Sequence, residues 1–233
     1  MTKVYPNTAD ESVSIDGNRD AVAVVLTVWK KSLLLNCNGF TVLDGQGNLV
    51  FRVDNYIAGN KDEILLMDAA GTPLLTIRRK RLSLGDTWLI FEGEDSVKLL
   101  FTARKHVNNK CLAHLLRSAN EDASWRSKIG NKKKEIAYEI EGSYMQRCCT
   151  FYDNNRRKVA EIKRKEAVSG GVAFGADIFR LIVQPHMDPT LAMAFVILLD
   201  HMFGSRSLIR PHPHPHHHHL FNFCHHFLNN FIG

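Results

Sequence analysis

Two runs of basic residues are the first places in this sequence where chemistry suggests itself: Arg78-Arg79-Lys80-Arg81 and Lys163-Arg164-Lys165. A guanidinium offers a planar fork to phosphate oxygens, and an ammonium adds a mobile point charge. Each run ends an apolar, strand-like stretch. With Leu75 and Ile77 facing inward, alternation turns Arg78 and Lys80 outward; with Ala160 and Ile162 inward, Lys163 and Lys165 face outward. Arg78, Lys80, Arg81, Lys163 and Lys165 are therefore the candidate lipid- or anion-binding residues. Lys132, Lys133 and Lys134 would add to either cluster. Near an anionic leaflet each basic residue contributes about 1 kcal/mol. One coordinated headgroup site requires the two clusters to converge, and spacing alone does not decide that. The competing reading is a solvated rim whose charges resist edge pairing.

Other residue types that could do chemistry lead less far. Asp44-Gly45-Gln46-Gly47-Asn48 looks like the start of a Ca²⁺ loop, but Leu49 and Asn55 stand where such a loop needs Gly and Glu, so a hairpin turn is expected. Cys148 and Cys149 are adjacent on an expected strand, one facing in and one out; ordinary core and surface thiols outweigh S-acylation. His212, His214, His216, His217, His218 and His219 belong to a Pro/His tail that can bind Zn²⁺, Ni²⁺ or Cu²⁺ incidentally, without a metal function. His201 suits the end of a helix, where a cation complements the dipole. There is no G-x-S-x-G, H-E-x-x-H, P-loop or G-x-G-x-x-G, so the expectation is a non-enzyme with no cofactor. No zinc-finger or aromatic-interleaved basic motif is present, and nucleic acid is disfavoured as a partner.

The elements that must position these residues centre on DPTLAMAFVILLD at 188–200. Asp188 is a good N-cap, Pro189 suits the first helical position, and Gly204 suits a left-handed closing residue. Positions 191–199 are all apolar, as in a helix buried on every side. The run is less than half the ~20 residues that span a bilayer. Around it the chain reads as strands and turns. Apolar runs at 40–43 and 49–53 flank Asp44-Gly45-Gln46-Gly47-Asn48. The same design recurs at 64–67 and 74–77 around Asp68, and at 148–152 and 159–162 around Asp153. Further strands are expected at 21–29, 87–91, 97–103, 135–140 and 178–183. A long excursion is expected over 105–133, with a short helical turn at 111–117. The fold class that follows is all-β with one buried helix: an antiparallel closed β-barrel from about 20 to 186 around a hydrophobic C-terminal helix at about 189–203.

Residues 1–20 are polar and acidic and read as a flexible arm, 21–204 as the barrel domain, and 205–233 as a low-complexity His-rich tail whose removal should leave stability unchanged. The 233-residue chain carries a net charge of +6, unevenly placed: residues 72–165 hold 21 Lys/Arg against 11 Asp/Glu. That imbalance points to anionic partners, lipid headgroups first. Five cysteines without a C-x-x-C pattern, and no basic-then-apolar leader, suit a cytoplasmic protein, peripheral at the plasma membrane or nuclear, not secreted and without a transmembrane segment. A monomer is expected.

Three phrases taken in order, FTVLDGQGNLVFRVDNY at 40–56, DIFRLIVQP at 177–185 and the helix at 188–200, together with the strand around Trp88, resemble the LURP-one-related family of plant proteins, within the tubby C-terminal-like superfamily. The resemblance covers roughly residues 20–204. It implies a twelve-stranded antiparallel barrel around a central hydrophobic helix, a fold shared with phospholipid scramblases and with phosphoinositide-binding tubby domains, and an association with plant defence. The functional expectation is an anionic phospholipid (phosphoinositide)-binding or membrane-tethering module. The alternatives are a protein-interaction scaffold with unidentified partners and, behind both, scramblase-like activity, which needs a bilayer-inserting element. The tail departs from the family pattern.

Overall fold

A computed structural model describes residues 22–34, 37–56, 63–81, 86–106, 111–118, 135–165 and 175–204. The arm at 1–20, Lys132 to Lys134, and the tail with its histidines lie outside the described residues. Twelve strands run in chain order: β1 (Val24–Trp29), β2 (Cys37–Leu43), β3 (Leu49–Tyr56), β4 (Glu63–Asp68), β5 (Pro73–Arg79), β6 (Thr87–Glu92), β7 (Leu99–Lys105), β8 (Cys111–Arg117), β9 (Ile136–Ser143), β10 (Cys148–Asp153), β11 (Lys158–Arg164) and β12 (Ile178–Val183), followed by the helix α1 (Pro189–Phe203). Each strand pairs antiparallel with its chain neighbours, and β12 pairs with β1 (Val24 opposite Val183, Trp29 opposite Ile178), so the sheet closes into a barrel.

Size explains why this barrel needs a helix. Twelve strands spaced ~4.8 Å apart have a circumference of ~58 Å, hence a diameter of at least ~18 Å. Side chains fill an eight-stranded barrel but not this one. A helix with its side chains is ~10–12 Å across and occupies the remainder. The inward residues of every strand, among them Leu26, Val28, Val53, Ile77, Ile90, Leu115, Ile140, Phe151 and Leu181, form one cluster with α1. Ala192 to Leu199 are all buried, as the unbroken apolar run requires. Phe195 meets the rings of Phe101, Tyr138 and Phe151 at 6.3, 5.3 and 5.8 Å.

The recurrent hairpin turns share one mechanism. The carboxylate of Asp44 accepts the backbone N–H groups of Gln46 and Asn48, that of Asp68 the N–H of Thr72, and that of Asp153 those of Asn155 and Arg157. The residue three positions on is left-handed each time: Gly47 (φ 86°), Gly71 (φ 91°) and Arg156 (φ 61°). A register shift follows in each hairpin, at Val42/Leu43, Leu66/Met67 and Phe151/Tyr152. Asp44 is thus consumed by a hairpin turn. Only the third copy places a side chain where glycine would be unstrained. A left-handed conformation costs a non-glycine residue ~1–2 kcal/mol; Arg156 offsets this through Glu139 (2.8 Å), Glu141 (3.0 Å) and the face of Tyr152.

Two expectations are corrected. Residues 111–117 form β8 rather than a helical turn. Its ladder to β9 shifts register twice, between Cys111 and Ala113 and between Leu115 and Leu116, so the sequence shows no clean two-residue alternation. Gly204 is extended (φ −61°, ψ 141°) rather than left-handed. Glycine is needed there for close approach, since a Cβ would lie 2.2 Å from the Asp200 carbonyl oxygen. The start of α1 is as expected: the Asp188 carboxylate accepts the N–H of Thr190 at 2.8 Å, and Pro189 opens the helix.

Candidate anion-binding rim

Odd-numbered strands all end at one rim of the barrel, where the helix also ends; the Asp-opened turns lie at the other. Going round the first rim, β1 is followed by Lys30 and Lys31, β11 leads into Lys163, Arg164 and Lys165, Arg147 precedes β10, Arg104 and Lys105 end β7, and Arg78 to Arg81 close β5. Among the described residues these cations share the rim with fewer carboxylates, Asp54, Glu63, Asp86, Asp177 and Asp200. The described residues of the opposite rim are Asp44, Asp68, Glu92, Glu94, Asp95, Glu135, Asp153 and Asp188 against Lys98, Arg117, Arg156, Arg157 and Lys158.

The two clusters singled out in the sequence share this rim without converging. In the closed barrel β5 and β11 are six strands apart in either direction, on opposite walls. The β5 cluster is largely engaged by its neighbours. Arg78 pairs with Glu63 at 2.6 Å, donates to the Ser96 hydroxyl at 3.1 Å and lies over the Phe91 ring. Arg79 pairs with Asp86 at 3.2 Å, while Lys80 and Arg81 are exposed at the strand end.

The β11 cluster is a different environment. Lys163 lies directly opposite Arg180 of β12, on the outer face. Like charges facing across a ladder are destabilising. Glu161 is the only carboxylate holding Lys163 (3.1 Å) among the described residues, and it also takes Lys158 (3.3 Å). No described carboxylate pairs with Arg180. Burial, and then the Arg180 charge, pull the Lys165 ammonium down to about 8. Arg164 donates to the Gln146 carbonyl at 3.1 Å. On the other side of β12, Thr27 of β1 faces Arg180, and Lys31 lies 5.3 Å from the Trp29 ring. The adjoining links carry exposed apolar side chains, Leu33 and Leu34 after β1 and Met145 between β9 and β10. Cationic and apolar tips thus adjoin over three neighbouring links.

The helix end anchors this sector. Asp200 sits at the negative end of α1, an unfavourable place for a carboxylate. Lys30 at 2.8 Å and the Tyr144 hydroxyl at 3.0 Å offset that. Burial, and then the Asp200 charge, keep the Tyr144 phenol protonated. Arg147, 6% exposed, is stacked between Tyr144 and Phe179 (4.2 and 4.4 Å) and donates to the Ala176 carbonyl at 2.7 Å, which ties the β11–β12 link to the β9–β10 turn. His201, in the last turn of α1, packs its ring 5.2 Å from Trp88.

Sequence reasoning missed Arg180, Lys30 and Lys31. The alternation of Phe179-Arg180-Leu181 shows Arg180 facing outward, but its place beside Lys163 is a matter of register. At the opposite rim a cleft of about 390 Å³ opens between Arg117, Tyr138, Asp153, Arg157 and His186. Asp153 already holds Arg157 at 2.7 Å, so the cleft offers less unpaired charge. No helix among the described residues is long and apolar enough to cross a membrane.

Comparison with known proteins agrees with this architecture. Protein LURP-one-related 8 of Arabidopsis thaliana is 52% identical over 210 residues, covering 88% of this chain and all of that one. Protein LURP-one-related 17 of the same plant is 38% identical, covering 85% and 92%. An X-ray structure of another Arabidopsis thaliana protein superposes with a TM-score of 0.55 at 23% identity, over 77% of this chain and 90% of that chain, a likeness of fold. Residues 24–200, from the first barrel strand almost to the end of the helix, match the LURP-one-related family, and the chain belongs to it.

Proposed function

We propose that this protein is a non-enzymatic attachment module whose basic rim docks on an anionic phospholipid surface, with Lys163, Lys165 and Arg180 gripping headgroup phosphate. The observation that carries this reading is the direct juxtaposition of Lys163 and Arg180 with Lys165 beside them. Repulsion held in the ladder is relieved when an anion bridges the cations. Lys31 on the next link enlarges the field, while its neighbour Lys30 is held by Asp200, and Leu33, Leu34 and Met145 provide apolar tips for the interfacial region. At about 1 kcal/mol per basic residue near the leaflet, Lys31, Lys163, Lys165 and Arg180 together give a salt-sensitive attachment. Recruitment of this kind suits a role in plant defence signalling.

Co-sedimentation with vesicles of phosphatidylcholine doped with phosphatidylserine or with a phosphoinositide, at low and at physiological salt, tests the reading. Arg180→Ala and Lys163→Ala should each lower the partition constant about fivefold, the equivalent of ~1 kcal/mol. Arg78→Ala, on the far wall and already held by Glu63, should leave it within about twofold. A larger loss for a phosphoinositide than for phosphatidylserine indicates a coordinated grip, and equal losses indicate a diffuse basic face. If the wild-type protein fails to bind either anionic vesicle at low salt, the attachment reading is wrong and a protein-interaction scaffold takes its place.

A further inference from the structure

The outer face of β8 and β9 gathers a second constellation, unrelated to the basic sector. His114 lies opposite Glu139, while Ala113 lies opposite Ile140 in the core. Regular alternation would send Cys111 the same way as Ala113. The register shift at Leu112 breaks that alternation: Cys111 pairs with Glu141, is 6% exposed and lies outside the core cluster. β-Bulges characteristically re-aim one side chain in this way. The result is that the Cys111 sulfur, a His114 ring nitrogen and a Glu139 carboxylate oxygen all lie within 4.8 Å of one another.

We propose that Cys111, His114 and Glu139 form a three-ligand site for a divalent transition metal of the Zn²⁺ class. The donor set is one thiolate, one imidazole and one carboxylate, which suits a borderline-soft ion and disfavours Ca²⁺ or Mg²⁺. The distances also fit. Metal–nitrogen and metal–oxygen bonds of ~2.0–2.2 Å at a tetrahedral angle place the two donors ~3.3–3.5 Å apart. His114 Nε2 and Glu139 Oε1 are 3.4 Å apart. With a metal–sulfur bond of ~2.3 Å the remaining edges are ~3.5–3.7 Å, so from within 4.8 Å Cys111 closes by roughly 1.3 Å at most. The carboxylate is already oriented: Arg156 takes Glu139 Oε2 at 2.8 Å, leaving Oε1 towards His114. Outer partners of this kind fix a ligand's direction. The His106 ring packs 4.6 Å from that of His114, and the His106 backbone N–H bonds the Leu112 carbonyl at 2.8 Å, pinning the bulge. Three protein ligands leave a fourth position to water. On binding, the Cys111 thiol releases its proton to solvent, and thiolate plus carboxylate neutralise the ion.

Co²⁺ is the probe, because a thiolate–cobalt bond gives a charge-transfer absorption that histidines and carboxylates do not. The histidine tail and Cys224 would also attract metal, so the full-length protein carries Cys224→Ser and alanine at the tail histidines. The charge-transfer band is expected to saturate at one equivalent of Co²⁺ and to be displaced by Zn²⁺. Cys111→Ser should abolish the band, with thermal unfolding confirming that the barrel is intact. Half-buried His114 supplies a second variant: His114→Gln should weaken Co²⁺ binding on the order of tenfold or more. A folded background protein that shows no thiolate band at millimolar Co²⁺ overturns the proposal. So does a band that persists unchanged in both Cys111→Ser and His114→Gln, which would assign it to another sulfur.

Discussion

Phe195→Ala tests whether the barrel depends on its filling. Phe195 is fully buried at the middle of α1 and makes ring contacts with Phe101, Tyr138 and Phe151, one from each of three strands. Removing a buried phenyl costs ~3–5 kcal/mol when the surroundings cannot collapse. Hydrogen-bonded strands hold this wall at fixed circumference, and each aromatic pair adds ~0.5–1.5 kcal/mol, which places the change in the upper part of that range. For a domain of this size 1 kcal/mol shifts Tm by ~2–4 °C, so Phe195→Ala should lower Tm by about 8–20 °C. Phe195→Leu, which keeps most of the volume, should lower it by less than half as much. Scanning calorimetry, with near-ultraviolet circular dichroism as a second probe, reads both. A fall of less than ~3 °C for the alanine variant would mean that the helix interior contributes little, and the reasoning from barrel circumference would be wrong.

Asp200→Ala removes the acceptor shared by Lys30 and Tyr144 and should cost ~1–3 kcal/mol by leaving the buried phenol unpaired; a melt within 2 °C of wild type would count against the helix-end anchor. Gly142→Ala should destabilise far more than Gly71→Ala in chemical denaturation. Both positions have positive φ, but only at Gly142 would a Cβ meet backbone, 2.2 Å from the Cys148 carbonyl oxygen. The hydrogen bonds to the turn carboxylates, led by the Asn48 side chain at Asp44 and the Thr72 backbone N–H at Asp68, hold both below the usual carboxylate range. Their stabilisation is present above the unfolded value of about 4 and is lost as pH falls through the lowered folded values; Asp68→Asn should therefore flatten the decline of Tm below about pH 4. Maleimide should label exposed Cys148 well before Cys149 and Cys111, whose thiols burial pushes up to about 12, as peptide mapping would show.

What could be read from the chain alone was whatever local forces decide. The Asp-opened hairpins were visible because one carboxylate and one left-handed residue, three apart, make each turn. The helix was visible because its cap and its unbroken apolar run need no tertiary information. β8 was misread because its two register shifts erase alternation, leaving Leu112, Ala113, Leu115 and Leu116, good helix formers, as the only signal. The site was partly legible for a related reason. Arg78 and Lys163 announce themselves as charges at strand ends. Whether each is neutralised depends on residues distant in the chain: Glu63 reaches Arg78 across the β4–β5 ladder, and Arg180 faces Lys163 across a link of more than ten residues. The proposed metal constellation was not legible either: Cys111 and His114 stand three apart on β8, but Glu139 comes 25 residues later, and only the bulge turns the cysteine towards the other two.

The order of elements along the chain has a consequence for how the protein is made. Synthesis delivers all twelve wall strands before α1, and β1 must wait for β12, some 150 residues later, before its second edge is covered. Until the ribosome releases Pro189–Phe203, the nascent wall exposes a lumen lined by Leu26, Ile77, Ile90, Phe151 and Leu181 with nothing to fill it. Nascent chains of this kind, with long-range pairing and bare apolar surface, are the ones that chaperones engage. Cellular yield should therefore be governed by the interval between completing the wall and releasing its filling, and slowing translation within the helix codons should cost soluble protein even with the amino-acid sequence unchanged.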